Sequence, residues 1–224
     1  MKIAVLNHIS KEGPEVALTK VEKGLGAAYS TGIIPEILFG PDYTLACAYV
    51  DRVNTPEERQ KILRQLEQIS KRYPKTRIIP GTMPWCDEKG MRLSSPMYSE
   101  GRCVAEFYKQ RDNGESDLAK KAGVQFIPGN CNDNRFMLDG RKIAYEICGD
   151  HACQKVEGVY VELVPTLDDH AAFHVNPKND GWDHFGILAD GITGKSIGAK
   201  ITNRRMRQLE KEQINTEMNL YNLE

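Results

Sequence analysis

The sequence predicts an α/β protein, a mixed β-sheet with helices outside it. Two observations carry this. Over the first eighty residues, short apolar runs alternate with stretches of helical spacing. From about residue 90 onward, apolar runs are joined through hairpin turns. Strands separated by helices lie parallel, and hairpins add antiparallel neighbours, so the two patterns in one chain imply a mixed sheet. No repeat, low-complexity tract or linker interrupts the 224 residues, which read as a single domain, 1–224.

Lys2 to Asn7 is a short apolar strand. Pro14 to Tyr29 has helical spacing at Val16, Leu18, Val21, Leu25 and Ala28, weakened by Gly24 and Gly26. Ile37-Leu38-Phe39 is a second buried strand, ended by Gly40-Pro41-Asp42. Thr55-Pro-Glu-Glu58 is a capping box with proline at the first helical position. Behind it Ile62, Leu63, Leu66, Ile69 and Tyr73 share one face, and Pro74 follows, so a helix is predicted there. Arg77 to Ile79 is a third strand. Arg92 to Tyr98 and Cys103 to Lys109 form two strands around Glu100-Gly101.

Asp112 to Asp117 reads as a polar loop and Val124 to Ile127 as a further strand. Phe136-Met-Leu138, Asp139-Gly140 and Lys142 to Ile147 make a hairpin whose turn dipeptide suits type I′. Tyr160 to Val164 is the next strand. Residues 165–195 are rich in turn formers and resist assignment. From Asn203 onward the chain is polar and predicted helical, with a thin apolar stripe at Met206, Leu209 and Met218.

Hydrophobic residues make up 40% and charged residues 27%, ordinary for a globular protein. The net charge is −1, from 30 basic and 31 acidic residues, which argues against a nucleic-acid surface or a polybasic membrane anchor. No run approaches transmembrane length, and the N-terminus reads as a strand rather than a signal peptide. Six scattered cysteines without a secretory segment imply reduced thiols and a cytoplasmic setting, although export by a route without a cleaved signal would leave the same sequence.

The chemistry gathers around Gly140-Arg-Lys-Ile-Ala-Tyr-Glu-Ile-Cys148-Gly149-Asp150-His151. Here a buried strand runs into a cysteine, and Gly149 lets the backbone turn behind it. A thiol placed at such a turn projects out of the sheet. It needs a cation or base nearby, because its unperturbed pKa is roughly 8.5. Lys109, ending the Cys103–Lys109 strand, could lower that pKa and donate to an oxyanion. Asp42 and Glu36 flank the second strand and Glu115 lies beyond Lys109, so each is a candidate carboxylate for proton transfer. The Gly149 N–H is a candidate oxyanion donor. Asp150 reads as orienting backbone at the turn.

These segments resemble the carbon–nitrogen hydrolase, or nitrilase, superfamily from Lys2 to about Val175. The strand ending at Cys148 followed by Gly149-Asp150 is similar to the family's nucleophile strand. Gly101-Arg-Cys-Val-Ala-Glu-Phe-Tyr-Lys109 is similar to its lysine strand, and the spacing of Lys109 and Cys148 is of the family's kind. Ile79-Pro-Gly81 and Tyr160 to Pro165 resemble two further strands. The resemblance implies a four-layer αββα sandwich, a Cys148–Lys109–carboxylate triad, Glu115 as an accessory glutamate, and a homodimer. It also implies a cysteine acyl-enzyme (thioester) route to hydrolysis of a small-molecule amide, ahead of a nitrile, with no metal or organic cofactor. Two departures stand out. The family's carboxylate is a glutamate at the end of its strand, where this chain has Asp42, whereas Glu36 precedes the apolar run. The C-terminal third is also short against the family.

Two other readings compete. One is a non-catalytic binding or interaction module on the same fold. The other is a thiol–metal protein using Cys131, Cys148, His151 and Cys153, whose spacing matches no common zinc pattern. Cys47, Cys86 and Cys103 read as packing residues, Trp85 and Trp182 as pocket or core, and His170, His174 and His184 belong to no motif.

Overall fold

The computed structural model describes residues 1–48, 51–130, 134–153 (the backbone alone for 151–153), 158–167, 183–202 and 205–224. The strands in chain order are β1 (Lys2–Leu6), β2 (Ile37–Phe39), β3 (Arg77–Ile79), β4 (Met83–Asp87), β5 (Gly90–Ser99), β6 (Arg102–Tyr108), β7 (Arg135–Leu138), β8 (Arg141–Tyr145), β9 (Val161–Thr166), β10 (His184–Asp190), β11 (Ser196–Thr202), β12 (Arg205–Gln208), β13 (Glu212–Asn215) and β14 (Met218–Asn222). The α-helices are α1 (Pro14–Ser30), α2 (Pro56–Arg72) and α3 (Glu115–Lys121).

The strands form two mixed sheets. The first runs β13-β14-β1-β2-β3-β5-β4, with β6 paired to β5. The second runs β12-β11-β10-β9-β8-β7. Each has a parallel centre: β1, β2 and β3 in the first, β8, β9 and β10 in the second. Antiparallel strands flank both centres.

Ile3, Val5, Ile37, Phe39 and Ile79 on one sheet meet Ile143, Tyr145, Val161, Leu163 and Ile187 on the other in a shared core. The alternate residues of the first sheet, Ala4, Leu6, Leu38 and Ile78, face α1 and α2 through Leu18, Val21, Leu25, Ile62, Leu66 and Ile69. Period-2 alternation thus splits each strand between two cores, and each fully buried aliphatic side chain contributes roughly 1.5–3 kcal/mol. Sheets and helices stack as the αββα sandwich prescribes on this side. Over the second sheet's outer face the described residues include no α-helix, and 168–182 lie outside them.

Several local expectations hold. The capping box forms at Thr55, whose side chain accepts from the Glu58 N–H at 3.2 Å while Glu58 Oε2 accepts from the Thr55 N–H at 2.8 Å. The β7–β8 turn has φ of 48° at Asp139 and 75° at Gly140, as a type I′ turn requires.

Others are corrected. The C-terminal segment is not helical but forms β12, β13 and β14. β14 completes the first sheet against β1, with Met218 and Leu220 facing the helices and Tyr221 and Leu223 the inter-sheet core. Met218 lies against Gly24, where any larger residue in α1 would collide with it. Burial on two faces overrides the helical composition here. The polar loop 112–117 gives way at Glu115 to α3, whose Leu118 and Ala119 enter the core. Residues 124–127 make no strand, only a bridge from Phe126 to Met91. β4 and β11 were not anticipated. Cys103 is exposed rather than packed, whereas Cys47 and Cys86 are half-buried.

Candidate active site

The candidate side chains stand where strands of both sheets end. β2 ends at Phe39 and is followed by Gly40-Pro41-Asp42. β6 ends at Tyr108, and Lys109 is the next residue. β8 ends at Tyr145, three residues before Cys148. β2 and β8 are central parallel strands, so Asp42 and Cys148 lie at carboxyl ends, where open α/β sheets gather ligands.

Cys148 opens a 3₁₀ turn, Cys148–Cys153, with its own φ at +50°. The sharp turn therefore falls on the thiol-bearing residue, not on Gly149 as the sequence suggested. A non-glycine residue in this region costs of order 1–3 kcal/mol and is held there by its surroundings. Gly149 serves close approach instead. The Asn113 carboxamide occupies the space a side chain at 149 would need.

Lys109 is almost fully buried, at 1% exposure. Its Nζ donates to the Ile147 carbonyl at 2.7 Å and lies 4.0 Å from Asp150 Oδ1. Burial alone would lower its pKa, but the charges of Asp150, Asp42, Cys148 and Glu115 outweigh that and raise it, so the ammonium is permanent. The lysine thus ties the candidate carboxylates and the thiol into one cluster.

Asp42 is buried, and Oδ1 accepts from the Tyr43 N–H at 3.0 Å and from the Thr82 hydroxyl. Thr82 Oγ1 also accepts from the Tyr43 N–H, at 2.8 Å. Burial pushes the Asp42 carboxyl up to about 6, against the pull of Lys109 and Thr82. Burial likewise raises the Cys148 thiol, with the Asp42 charge adding to it and Lys109 opposing. Glu115 is buried at the start of α3, where Oε2 accepts from the Asn113 N–H at 2.5 Å. One ammonium serves Asp42, Glu115 and Asp150, so the cluster cannot also hold a resting thiolate without excess negative charge.

Glu36, the other candidate carboxylate, stands at the opposite end of β2. It accepts from the Lys2 N–H at 3.0 Å and lies 3.7 Å from the N-terminal amine. The structure therefore brings Asp42, Lys109, Glu115 and Cys148 together and leaves Glu36 apart. Of the thiol–metal candidates, the side chains of Cys131, His151 and Cys153 lie outside the described residues, as do His170, His174 and Trp182. Trp85 is half-buried beneath the Arg59 guanidinium and donates from Nε1 to Ser94 Oγ at 2.7 Å. His184 is buried in β10, with Nε2 4.0 Å from Glu162. No residue pattern in the sequence pointed to Thr82, Ser10 or Thr166. Ser10 Oγ donates to the Asp42 carbonyl. Thr166 carries Asp42 and Cys148 at once: its carbonyl accepts from the Asp42 N–H at 3.3 Å, and its hydroxyl donates to Cys148 Sγ at 3.8 Å.

The two face-to-face mixed sheets, with this cluster at their strand ends, have the fold of the nitrilase superfamily. A cysteine-to-alanine variant of a nitrilase-superfamily amidase from Nesterenkonia AN1 superimposes with a TM-score of 0.70 at 14% identity, covering 100% of this chain and 90% of that one. A glutamine-dependent NAD(+) synthetase from Cytophaga hutchinsonii gives 0.69 at 14% identity, over 99% of this chain and 42% of that one. A carbon–nitrogen hydrolase from Helicobacter pylori gives 0.63 at 11% identity, over 99% and 88%. No family model and no curated protein matches the chain in sequence.

Proposed function

We propose that this protein hydrolyses the carbon–nitrogen bond of a small amide through a thioester on Cys148. The observation that carries the reading is the buried Lys109 ammonium shared by the Cys148 thiol and the Asp42 carboxylate. The fold shared with amidases supports it. At rest the thiol is protonated and Asp42 is ionised above about pH 6. Asp42 takes the thiol proton as Sγ attacks the carbonyl carbon. Lys109 and the Gly149 N–H stabilise the oxyanion. When the tetrahedral intermediate collapses, the C–N bond breaks and Asp42 returns the proton to the leaving amine. A water, deprotonated by Asp42, then cleaves the thioester, releasing the acid and restoring the thiol. Glu115 keeps the Asn113 loop in place beside the thiol. No metal or organic cofactor enters this sequence.

The test is ammonia release from a panel of small primary amides, glutamine among them, by the wild type and Cys148→Ala. We expect a loss of at least ~10³-fold in kcat for the variant, with an unchanged melting temperature. Mass spectrometry of the quenched wild type should show an acyl adduct on Cys148. Equal turnover by the variant would remove Cys148 from the reaction. A wild type that binds amides but releases no ammonia would favour the non-catalytic binding module.

A further inference from the structure

Asp150 is fully buried two residues beyond Cys148, and the reaction above gives it no chemical step. Its two oxygens are divided between adjacent backbone donors. Oδ2 accepts from the Gln110 N–H at 2.9 Å, and Oδ1 accepts from the Arg111 N–H at 2.9 Å. These are the two residues that follow Lys109. Oδ1 is also the carboxylate oxygen 4.0 Å from Lys109 Nζ. On the other side of the thiol, the Ile147 carbonyl accepts from the same Nζ at 2.7 Å. Cys148 is thus bracketed. The residue before it holds the ammonium, and the residue two after it holds the backbone from which that ammonium comes.

The two partners belong to different sheets, Lys109 following β6 of the first and Cys148 following β8 of the second. Apolar packing between sheets fixes their spacing but supplies no directional bond at the reacting atoms. A misplacement of about 1 Å there can cost on the order of 10²-fold in rate. Charge-assisted bonds from two successive N–H groups to one planar carboxylate are directional and short. A carboxamide cannot copy them, because its NH₂ would face one of the two N–H donors. The charged groups around Asp150 are Lys109, Glu115 and, from beyond the end of β8, Glu146. Among these Lys109 is the cation, so Asp150 competes with the thiol for it.

We propose that Asp150 is a positioning residue that staples the Lys109 strand end to the Cys148 turn and shares the Lys109 ammonium with the thiol. Its effect on turnover rests on the amide-hydrolase reading, while the staple itself is measurable without turnover.

The experiment compares the wild type with Asp150→Asn and Asp150→Glu by three measurements: amide hydrogen exchange, the rate of Cys148 alkylation by iodoacetamide, and kcat and KM on the amide found above. In the wild type the Gln110 and Arg111 amides should be protected. In D150N they should lose protection while α1 and α2 keep theirs. Alkylation of Cys148 should rise severalfold, because the ammonium is released to the thiolate. kcat should fall about 10²-fold with KM within about threefold, and D150E should restore part of kcat. Thiol reactivity and turnover then move in opposite directions, which a general loosening of the fold would not produce. Unchanged exchange at 110 and 111, or alkylation and kcat falling together with protection lost throughout, would overturn the proposal. Should D150N fail to fold, fast exchange of those two amides in the wild type overturns it and slow exchange upholds it. A wild type that hydrolyses no amide would sink the functional reading alone, because exchange and alkylation still decide the staple.

Discussion

Cys148 combines two features that set the terms of its chemistry, a backbone φ of +50° and a thiol that burial holds protonated. The first aims the side chain away from its strand, and the second means that reaction needs a base at the moment of attack. In the proposed mechanism Asp42 supplies it, and its carboxyl is pushed up to about 6 by burial. The sign follows directly. The base works ionised, so kcat/KM should rise with pH through a midpoint near 6 and fall away below it. In Asp42→Asn that limb should vanish along with ~10²–10⁴ of the rate, the usual span for a general base. A pH–rate profile of both proteins checks this. A wild-type limb near 4 would mean that another carboxylate acts.

The residue scale is also where the sequence reading was most specific. Cys148 and Lys109 were legible because each follows a recognisable strand, whereas Glu115, read as a loop residue, was singled out by the family resemblance. Asp42 stands where strand order puts the family's carboxylate, and the structure places Glu36 at the far end of β2, beside the N-terminal amine. Thr82, Ser10 and Thr166 were illegible. Each comes from a different strand end or turn, and hydroxyl residues in such places carry no pattern of their own.

At the scale of elements, α2 was read almost to the residue because every signal for it is local: a capping box, proline at the first position, one apolar face and a proline after its end. Thr55→Ala removes the side-chain acceptor of the Glu58 N–H, and thermal or urea denaturation should register a loss of about 1 kcal/mol. A loss below a few tenths would show that Glu58, bonded to both Thr55 and Arg52, caps the helix unaided. The C-terminal segment is the opposite case. Its residues between 203 and 217 are mostly polar and helix-compatible, and nothing local marks them as strands. β14 forms because β1 offers an edge with α1 on one side and the inter-sheet core on the other. Met218 and Leu220 fill the first and Tyr221 the second. That decision is made by residues some two hundred positions away in sequence, where local propensity has no voice.

At the scale of the whole molecule, the two sheets meet through an apolar core crossed by several buried polar contacts, among them Ser196 Oγ to the Tyr221 hydroxyl at 3.0 Å and one beneath the site. The Tyr145 hydroxyl, on β8 of the second sheet, donates to Ser95 Oγ on β5 of the first at 3.0 Å, and Ser95 Oγ donates to the Gly81 carbonyl at 2.7 Å. This chain of bonds ties one sheet to the other a few residues before Cys148. Tyr145→Phe keeps the ring against Phe107 and leaves Ser95 its bond to Gly81, so the cost in unfolding free energy should be about 1 kcal/mol. A larger fall in kcat than that stability loss explains would show that the inter-sheet register reaches the site. Unchanged stability and rate would show that this contact does not set it.

By itself the sequence determined the α/β class, the strands from β1 to β3, the helices α1 and α2, the β7–β8 hairpin, and the strand ends on which Cys148 and Lys109 stand. These depend on periodicity, caps and turn dipeptides, which act over a few residues. Tertiary structure alone decided the strand order within each sheet, that the tail returns to pair with β1, and that α3 starts at Glu115 and packs Leu118 and Ala119 into the inter-sheet core. It alone decided that Asp150 joins Asp42, Glu115 and Cys148 around one lysine, and that Thr82 and Thr166 bond Asp42. Each of these is set by burial and by the pairing of backbone donors between distant segments. The same residue can be a turn former or a buried charge, and only the neighbours that folding brings to it choose between the two.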